Sequence, residues 1–230
     1  MRQTEKYCII VAGGKGTRMA SKVPKQLLLL SGKPVLFWSI LAFQSYDPSI
    51  NIILVLPEEY ISGWNKISKK YNLPGSIKIV LRGESRYHSV KNAVKKLPDN
   101  GLVAIHDGVR PLVCQKLIRR CFDLADEKGN AIPYIPIQDT MRQLVDSKNI
   151  SVDRNKYVRI QTPQVMDIKI LKKAFSQPWH KDFTDESRML ESIGVPIFLI
   201  EGDEKNIKIT KQNDLQLARY YMAQRIEKKA

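Results

Sequence analysis

Four short apolar runs, "YCIIVA", "INIILVLP", "IKIVLRG" and "LVAIHDG", alternate with longer amphipathic segments. Each run is rich in Ile and Val and ends at Gly or Pro, the pattern of a strand buried on both faces. The segments between and after them, Val35–Tyr46, Glu59–Tyr71, Ser85–Leu97 and Gln115–Lys128, read as helices. In the last, Leu117, Ile118, Cys121, Phe122, Leu124 and Ala125 form one apolar stripe. Further on come "AIPYIPI", a helix near Asp167–Ser176, another near Asp185–Ile193, the strand "IFLIEG" and a final helix from about Gln212. Strands that alternate with helices pair in parallel, and their crossovers cover both sides of the sheet. The expected fold class is therefore α/β: a Rossmann-like, mostly parallel sheet with helices on both faces.

One segment breaks this rhythm. "QDTMRQLVDSKNISVDRNKYVRIQTPQ", Gln138 to Gln164, holds three short extended pieces around the polar turn "DSKN". It reads as a β-hairpin arm over residues 138–160, projecting from the sheet. An ordinary edge hairpin fits the pattern as well. The 230 residues suit one domain, 1–230, with this arm as its appendage.

Composition narrows the function classes without choosing among them. No apolar run approaches the roughly 18 residues of a membrane span, and the first residues do not read as a secretory signal, so a cytoplasmic location is expected. The three cysteines, Cys8, Cys114 and Cys121, are not a disulfide framework. Cys114 and Cys121 are expected on one helix, about 10 Å apart along its axis. The net charge of +15 fits nucleic acid, an anionic membrane or small polyanionic substrates. A non-enzymatic nucleic-acid-binding protein is the reading of another class that this charge allows.

The first strand is followed by "VAGGKGTRMASKVPKQ", a loop combining Gly13, Gly14 and Gly16 with Lys15, Arg18, Lys22 and Lys25. In an open parallel sheet such a loop lies at the carboxyl end of its strand, where ligands bind. No glycine is followed by Lys-Ser or Lys-Thr, so the loop is not a Walker A motif. Gly14 and Gly16 begin a dinucleotide fingerprint, but Met19 stands where the third glycine belongs. A generic cationic loop is one reading. The other is a triphosphate cradle, with backbone N–H groups on the phosphates and Arg18 and Lys25 neutralising charge in the transition state.

"AGGKGTRM…PKQ" resembles the opening signature of the sugar-phosphate nucleotidyltransferases. Seven further motifs follow in order: "GESRYHSV", "HDGVRP", "DTM", "VDRN", "QTPQ", "TDES" and "EGDEKNIKIT". Together they resemble the 2-C-methyl-D-erythritol 4-phosphate (MEP) cytidylyltransferase family from about Tyr7 to Tyr221. The resemblance implies a nucleotidyltransferase domain that moves CMP from CTP to MEP, releasing pyrophosphate, in non-mevalonate isoprenoid synthesis. It implies that the loop Ala12, Gly13, Gly14 and Gly16 holds CTP, and that Arg18 and Lys25 stabilise the transition state. Gly83, Glu84 and Ser89 would contact the cytosine region, with Arg86 shaping that loop. Asp107 and Arg110 would lie near the ribose, metal and methylerythritol, Thr184 would contact MEP, and Lys208 would position its phosphate. For Arg86 and Asp107 a structural ion pair or loop brace is the alternative, and Thr184 fits the N-cap of the following helix equally well.

The resemblance further implies a homodimer exchanging its arms, with Thr140 and Arg154 binding MEP in the partner's site. Mg²⁺, the usual companion of a triphosphate, is the expected cofactor, although no motif identifies its ligands. His106 is expected to pack or to support other residues rather than to act as a base. Lys208 and Asn206, two residues apart in "NIKIT", are expected on one face of a strand. Two departures stand out: Arg82-Gly83 where the family often has two glycines, and Gly108-Val109 where it often has two alanines. The closest rival, ribitol-5-phosphate cytidylyltransferase, shares the glycine loop, "HD-x-x-RP", "QTPQ" and "NIKIT", but not "VDRN".

Overall fold

The computed structural model describes residues 4–14, 23–71, 73 and 77–227. The chain opens with β1 (Lys6–Val11) and the short pair β2 (Leu29–Leu30) and β3 (Lys33–Pro34). There follow α1 (Val35–Tyr46), β4 (Asn51–Leu56), α2 (Ile61–Lys70), β5 (Ile77–Leu81), α3 (Arg86–Val94), β6 (Leu102–Asp107) and α4 (Gln115–Lys128). After β7 (Asn130–Pro136) come β8 (Met141–Val145), β9 (Lys148–Val152), β10 (Val158–Ile160) and β11 (Gln164–Asp167). The chain then forms α5 (Ile168–Ser176), α6 (Glu186–Glu191), β12 (Leu199–Glu201) and α7 (Gln212–Glu227).

Eight strands form the central sheet in the order β10-β7-β11-β6-β1-β4-β5, with β12 beside β7. β5, β4, β1 and β6 are mutually parallel, while β11 runs against β6 and β10 against β7. The mostly parallel α/β architecture is as the alternating runs predict. Side chains alternate across each strand, and two cores result. Cys8 and Ile10 of β1 meet α1, α2 and α4 through Phe43, Trp64 and Phe122. Ile9 faces the other way, toward α3, α5 and α6 through Val90, Leu171 and Leu190. A third cluster seats α7 on β2 and Val109 through Leu215, Ala218 and Met222.

The arm is the pair β8–β9, whose residues pair only with each other in a two-stranded sheet. Asp146 takes the left-handed conformation at its turn, with φ of 49°. Leu144, Val145 and Ile150 are exposed on it. Within the expected range 138–160, β10 returns to the central sheet and pairs with β7. Cys114 is not inside α4 but is the residue flanking its start, and all three thiols are free. Among the described residues, no helix is long and apolar enough to cross a membrane.

The entry into β6 depends on Gly101. Its φ is +119°, and a Cβ there would stand 2.7 Å from the Glu5 carbonyl oxygen. That carbonyl accepts from the Leu102 amide at 2.9 Å, setting β6 against the start of β1. Gly101→Ala is expected to lower unfolding free energy by about 1–3 kcal/mol, the cost of strained backbone. A urea midpoint equal to the parent's would contradict this reading of the turn.

Candidate functional site at the carboxyl ends of the strands

The carboxyl ends of β1, β5 and β6 open on one cavity of about 380 Å³. Its walls are Val11, Ala12, Gly13, Gly14, Lys25, Gln26, Arg82, Gly83, Glu84, Ser85, Arg86, Ser89, Asp107, Val109 and Lys208. Ten of the site residues implied by the resemblance therefore meet in one place, although they come from positions 12 to 208. Gly16 and Arg18 lie outside the described residues. Arg110 stands directly behind Asp107.

The glycine loop is held from below. As the chain leaves β1, the Ala12 amide donates to the Val55 carbonyl at 3.0 Å. The buried Gln26 side chain then donates to the carbonyls of Ala12 and Gly14, at 3.0 and 3.4 Å. Lys25, next in sequence, donates to the Ile209 carbonyl at 3.2 Å, tying this loop to the segment that carries Lys208.

The second wall is the turn from β5 into α3. Ser85 caps α3, its hydroxyl accepting from the His88 amide at 3.3 Å. The Gly83 amide donates to the Ser89 hydroxyl at 3.0 Å. A side chain at Gly83 would bring its Cβ to 2.4 Å from the His88 Cβ, so only glycine fits the turn. Arg82 donates to the Gly13 carbonyl at 3.4 Å and stands 3.8 Å from Glu59. The extra charge at this position thus braces the two loops against each other, while Val109 adds an apolar wall.

Charge converges on Asp107. Its Oδ2 accepts from Lys208 Nζ at 2.9 Å and from Arg110 Nε at 3.3 Å. Burial would raise the carboxyl pKa, but Lys208, Arg86 and Arg110 together outweigh it and hold the group well below the ordinary carboxylate range. Arg110 is drawn down by its own burial, against the pull of Asp107. Arg86 makes a two-pronged bond to the fully buried Glu186, at 2.6 and 2.8 Å. Burial lowers the pKa of this guanidinium, yet Glu186 more than compensates and keeps it charged. Arg86 is both the ion-paired brace and a wall of the cavity.

Beneath these charges lies a buried hydrogen-bonded layer. His106 Nε2 is 3.1 Å from the Arg110 carbonyl, which can only accept, so Nε2 carries the proton. Nδ1 therefore accepts, and the Thr162 hydroxyl donates to it at 3.1 Å. The same hydroxyl oxygen accepts from the Asp107 amide at 3.1 Å. Burial is the main cause that pushes the His106 pKa down to about 4. His106 supports its neighbours and is no exposed base, as the sequence predicts. Gln161 grips the Asp203 carbonyl at 2.8 Å, and Gln164 donates to Asp185 at 2.8 Å while accepting from the Ser187 amide.

Two expectations are corrected: the N-cap reading of Thr184 and the shared strand face of Lys208 and Asn206. Thr184 is exposed and lies off the cavity wall, and the cap of α6 is Asp185, which accepts from the Arg188 amide at 3.1 Å. The short Asp185 carboxylate reaches that amide as threonine one residue earlier does not. Lys208 and Asn206 do not share a strand face, because 205–210 is irregular. Asn206 is buried, its amide donating to the Thr162 carbonyl at 2.8 Å, while Lys208 turns out to the cavity. Thr140 and Arg154 are exposed on or beside the arm, apart from the cavity of their own chain, with Arg154 donating to the Gln138 carbonyl. Gln26, Gln161, Gln164 and Thr162 stand in the quoted motifs, but sequence reasoning gave them no task. Among the described residues, no group of three or more His, Cys, Asp or Glu side chains forms a metal cluster.

Comparison with known proteins adds an independent line. Residues 7–224 match the family described as "IspD: 2-C-methyl-D-erythritol 4-phosphate cytidylyltransferase". The chain is 44% identical over 209 residues to the 2-C-methyl-D-erythritol 4-phosphate cytidylyltransferase of Bacteroides thetaiotaomicron, covering 91% of this chain and 95% of that protein. Its counterpart in Porphyromonas gingivalis strain W83 is 41% identical, covering 94% and 97%. Among solved structures, 4-diphosphocytidyl-2C-methyl-D-erythritol synthase of Anaerococcus prevotii superposes with a TM-score of 0.82 at 26% identity, covering 96% of each chain. The bifunctional IspDF of Campylobacter jejuni gives 0.79 at 29% identity, covering 93% of this chain and 54% of that one.

The buried neutral His106 makes stability depend on pH in a definite direction. Its folded pKa of about 4 lies below the unfolded value near 6.5. The unfolded chain therefore takes up the proton first, and this contribution, complete above pH ~6.5, is lost as pH falls toward ~4. The slope approaches about 1.4 kcal/mol per pH unit. Denaturant unfolding at stepped pH is expected to show a steeper decline in the parent than in a folded His106→Gln variant. Equal slopes would mean that His106 is not held neutral.

Proposed function

The chain belongs to the 2-C-methyl-D-erythritol 4-phosphate cytidylyltransferase family, and from that premise we propose that it transfers CMP from CTP to MEP in isoprenoid precursor synthesis. The observation that carries this reading is the convergence of Lys25, Arg86 and Lys208 on a cavity walled by the glycine loop. A phosphate oxygen of MEP attacks the α-phosphorus of CTP, a new P–O bond forms, and the bond to the bridging oxygen breaks to release pyrophosphate. The nucleophile is already anionic, so no side chain need remove a proton. Catalysis then rests on holding the two reactants in line and on neutralising charge in the transition state.

The glycine loop supplies backbone amides and close approach to the triphosphate, with Lys25 and Arg18 neutralising the charge at the α-phosphate. The turn at Gly83, Glu84 and Ser89 forms the cytosine pocket. Lys208, oriented by Asp107, takes the acceptor phosphate, and Arg110 and Thr184 complete the acceptor side. Mg²⁺ suits this donor set, because it binds through one or two carboxylates together with phosphate oxygens and water. Asp107, kept ionised by its cationic neighbours, would hold the ion, which would offset the charge of the triphosphate. The reaction consumes CTP, in keeping with a cytoplasmic enzyme.

The functional unit in this reading is a homodimer with exchanged arms. Thr140 and Arg154 lie outside their own chain's cavity, and the arm exposes Leu144, Val145 and Ile150. Both features support an arm that reaches a partner and delivers Thr140 and Arg154 to its MEP.

Purified protein with Mg²⁺ is expected to release pyrophosphate from CTP and MEP, but not when ATP replaces CTP or ribitol 5-phosphate replaces MEP. Turnover of ribitol 5-phosphate equal to that of MEP would reassign the acceptor; comparable turnover with ATP would remove the cytosine pocket. Lys25→Ala is expected to lower kcat on the order of 100- to 1000-fold, the usual cost of a lost preorganised charge contact. A folded variant within a few-fold of the parent would refute its role. Subunit exchange between Lys25→Ala and Arg154→Ala proteins tests the arm. Random pairing makes about half the dimers mixed, each with one intact site. About a quarter of parental activity should return; exchange confirmed by mass with no recovery would place Arg154 in its own chain's site.

A further inference from the structure

Thr162 lies outside the cavity wall and is 5% exposed. It nevertheless sits where three segments of the site meet. Its hydroxyl bonds His106 and the Asp107 amide. Its carbonyl accepts from the side chain of Asn206, two residues before Lys208. The bonds then close through Arg110. The Arg110 carbonyl accepts from His106, and its guanidinium donates to the Asn206 carbonyl at 2.7 Å and to Asp107 at 3.3 Å. Fixing Thr162 therefore fixes the main chain at Asp107, both ends of Arg110 and the approach to Lys208.

The protonation pattern makes this arrangement directional. Because the Arg110 carbonyl claims the Nε2 proton, Nδ1 must accept, and the Thr162 hydroxyl proton is committed to it. That leaves the hydroxyl lone pairs for the Asp107 amide. Valine has the same shape but neither donates nor accepts, whereas serine keeps both functions.

We propose that Thr162 is a positioning residue for cytidylyl transfer, setting through His106 and the Asp107 amide where the Asp107–Lys208 pair stands for the acceptor phosphate. This rests on the reaction assigned above. A misplacement of about 1 Å at a reacting site costs up to the order of 100-fold. Thr162→Val is expected to lower kcat/KM for MEP by about 10- to 100-fold, with KM for CTP within about threefold of the parent. Thr162→Ser is expected to stay close to the parent in both. Should the valine variant not fold, Thr162→Ala removes the same hydroxyl without new bulk and is expected to show the same selective loss.

Nitrogen-15 NMR supplies a readout that does not need turnover. The parent His106 should show the neutral Nε2–H tautomer, with its Nδ1 signal and the Asp107 amide signal shifted in Thr162→Val and restored in Thr162→Ser. A parent active on CTP and MEP whose folded valine or alanine variant keeps its MEP kcat/KM would overturn the positioning role alone. An inactive parent would overturn the assigned reaction, and the NMR comparison would still decide the positioning: unchanged Nδ1 and Asp107 signals would refute it.

Discussion

The site is organised around one buried carboxylate. Asp107 ends a central strand and is almost wholly removed from water, where an unpaired charge is not tolerated. Lys208 and Arg110 arrive from outside that strand and meet the same oxygen. Removing one partner of a buried pair leaves an uncompensated charge, so each of the three constrains the others. The consequence is geometric. A lysine from the irregular segment 205–210 is tied by that bond to the wall of the cavity.

The rest of the fold supplies the frame for that carboxylate. Parallel pairing of β1 with β4 and β6 places Val11, Val55 and Asp107 side by side at the carboxyl end of the sheet. The glycine loop, the α3 turn and the Asp107 segment then open on a common space, as the carboxyl ends of parallel strands do in open α/β sheets. Glutamine amides fasten the loops. Gln26 reaches two carbonyls of the glycine loop, and Gln161 grips the 203–206 turn through both of its functions, accepting from the Asp203 amide at 3.2 Å. The cations on the wall are accordingly mounted on a buried hydrogen-bonded base that limits how far they can shift.

Much of this was legible in the sequence because it rests on local patterns. The bounds of α1 and α4 coincide with the segments read as helices, although α1 is apolar nearly all round and only α4 is amphipathic, and the glycine loop lies after β1 as its composition requires. Ordered motifs brought distant residues such as Gly83 and Lys208 to one site. What was not legible depends on reach rather than spacing. The cap of α6 is Asp185 and not Thr184 because the aspartate carboxylate meets the Arg188 amide. The "NIKIT" segment alternates like a strand, yet Ile209 bonds the Val109 main chain while Asn206 is tied to Thr162, so no sheet forms there. Thr162 and Gln26 carry no chemical signature of their own, and their tasks emerge only when β6, β11 and the glycine loop are packed together.

The most direct measurement of the central claim is a double-mutant cycle between Asp107→Asn and Lys208→Ala, read in kcat/KM for MEP. If the carboxylate acts by holding the lysine in place, part of the loss at Asp107 disappears once Lys208 is gone, and the double variant should be clearly less impaired than the product of the two single losses, the remainder reflecting the hold of Asp107 on the metal ion. If the two losses instead multiply, the residues act independently, and the account of a cavity organised by the Asp107–Lys208 pair is contradicted.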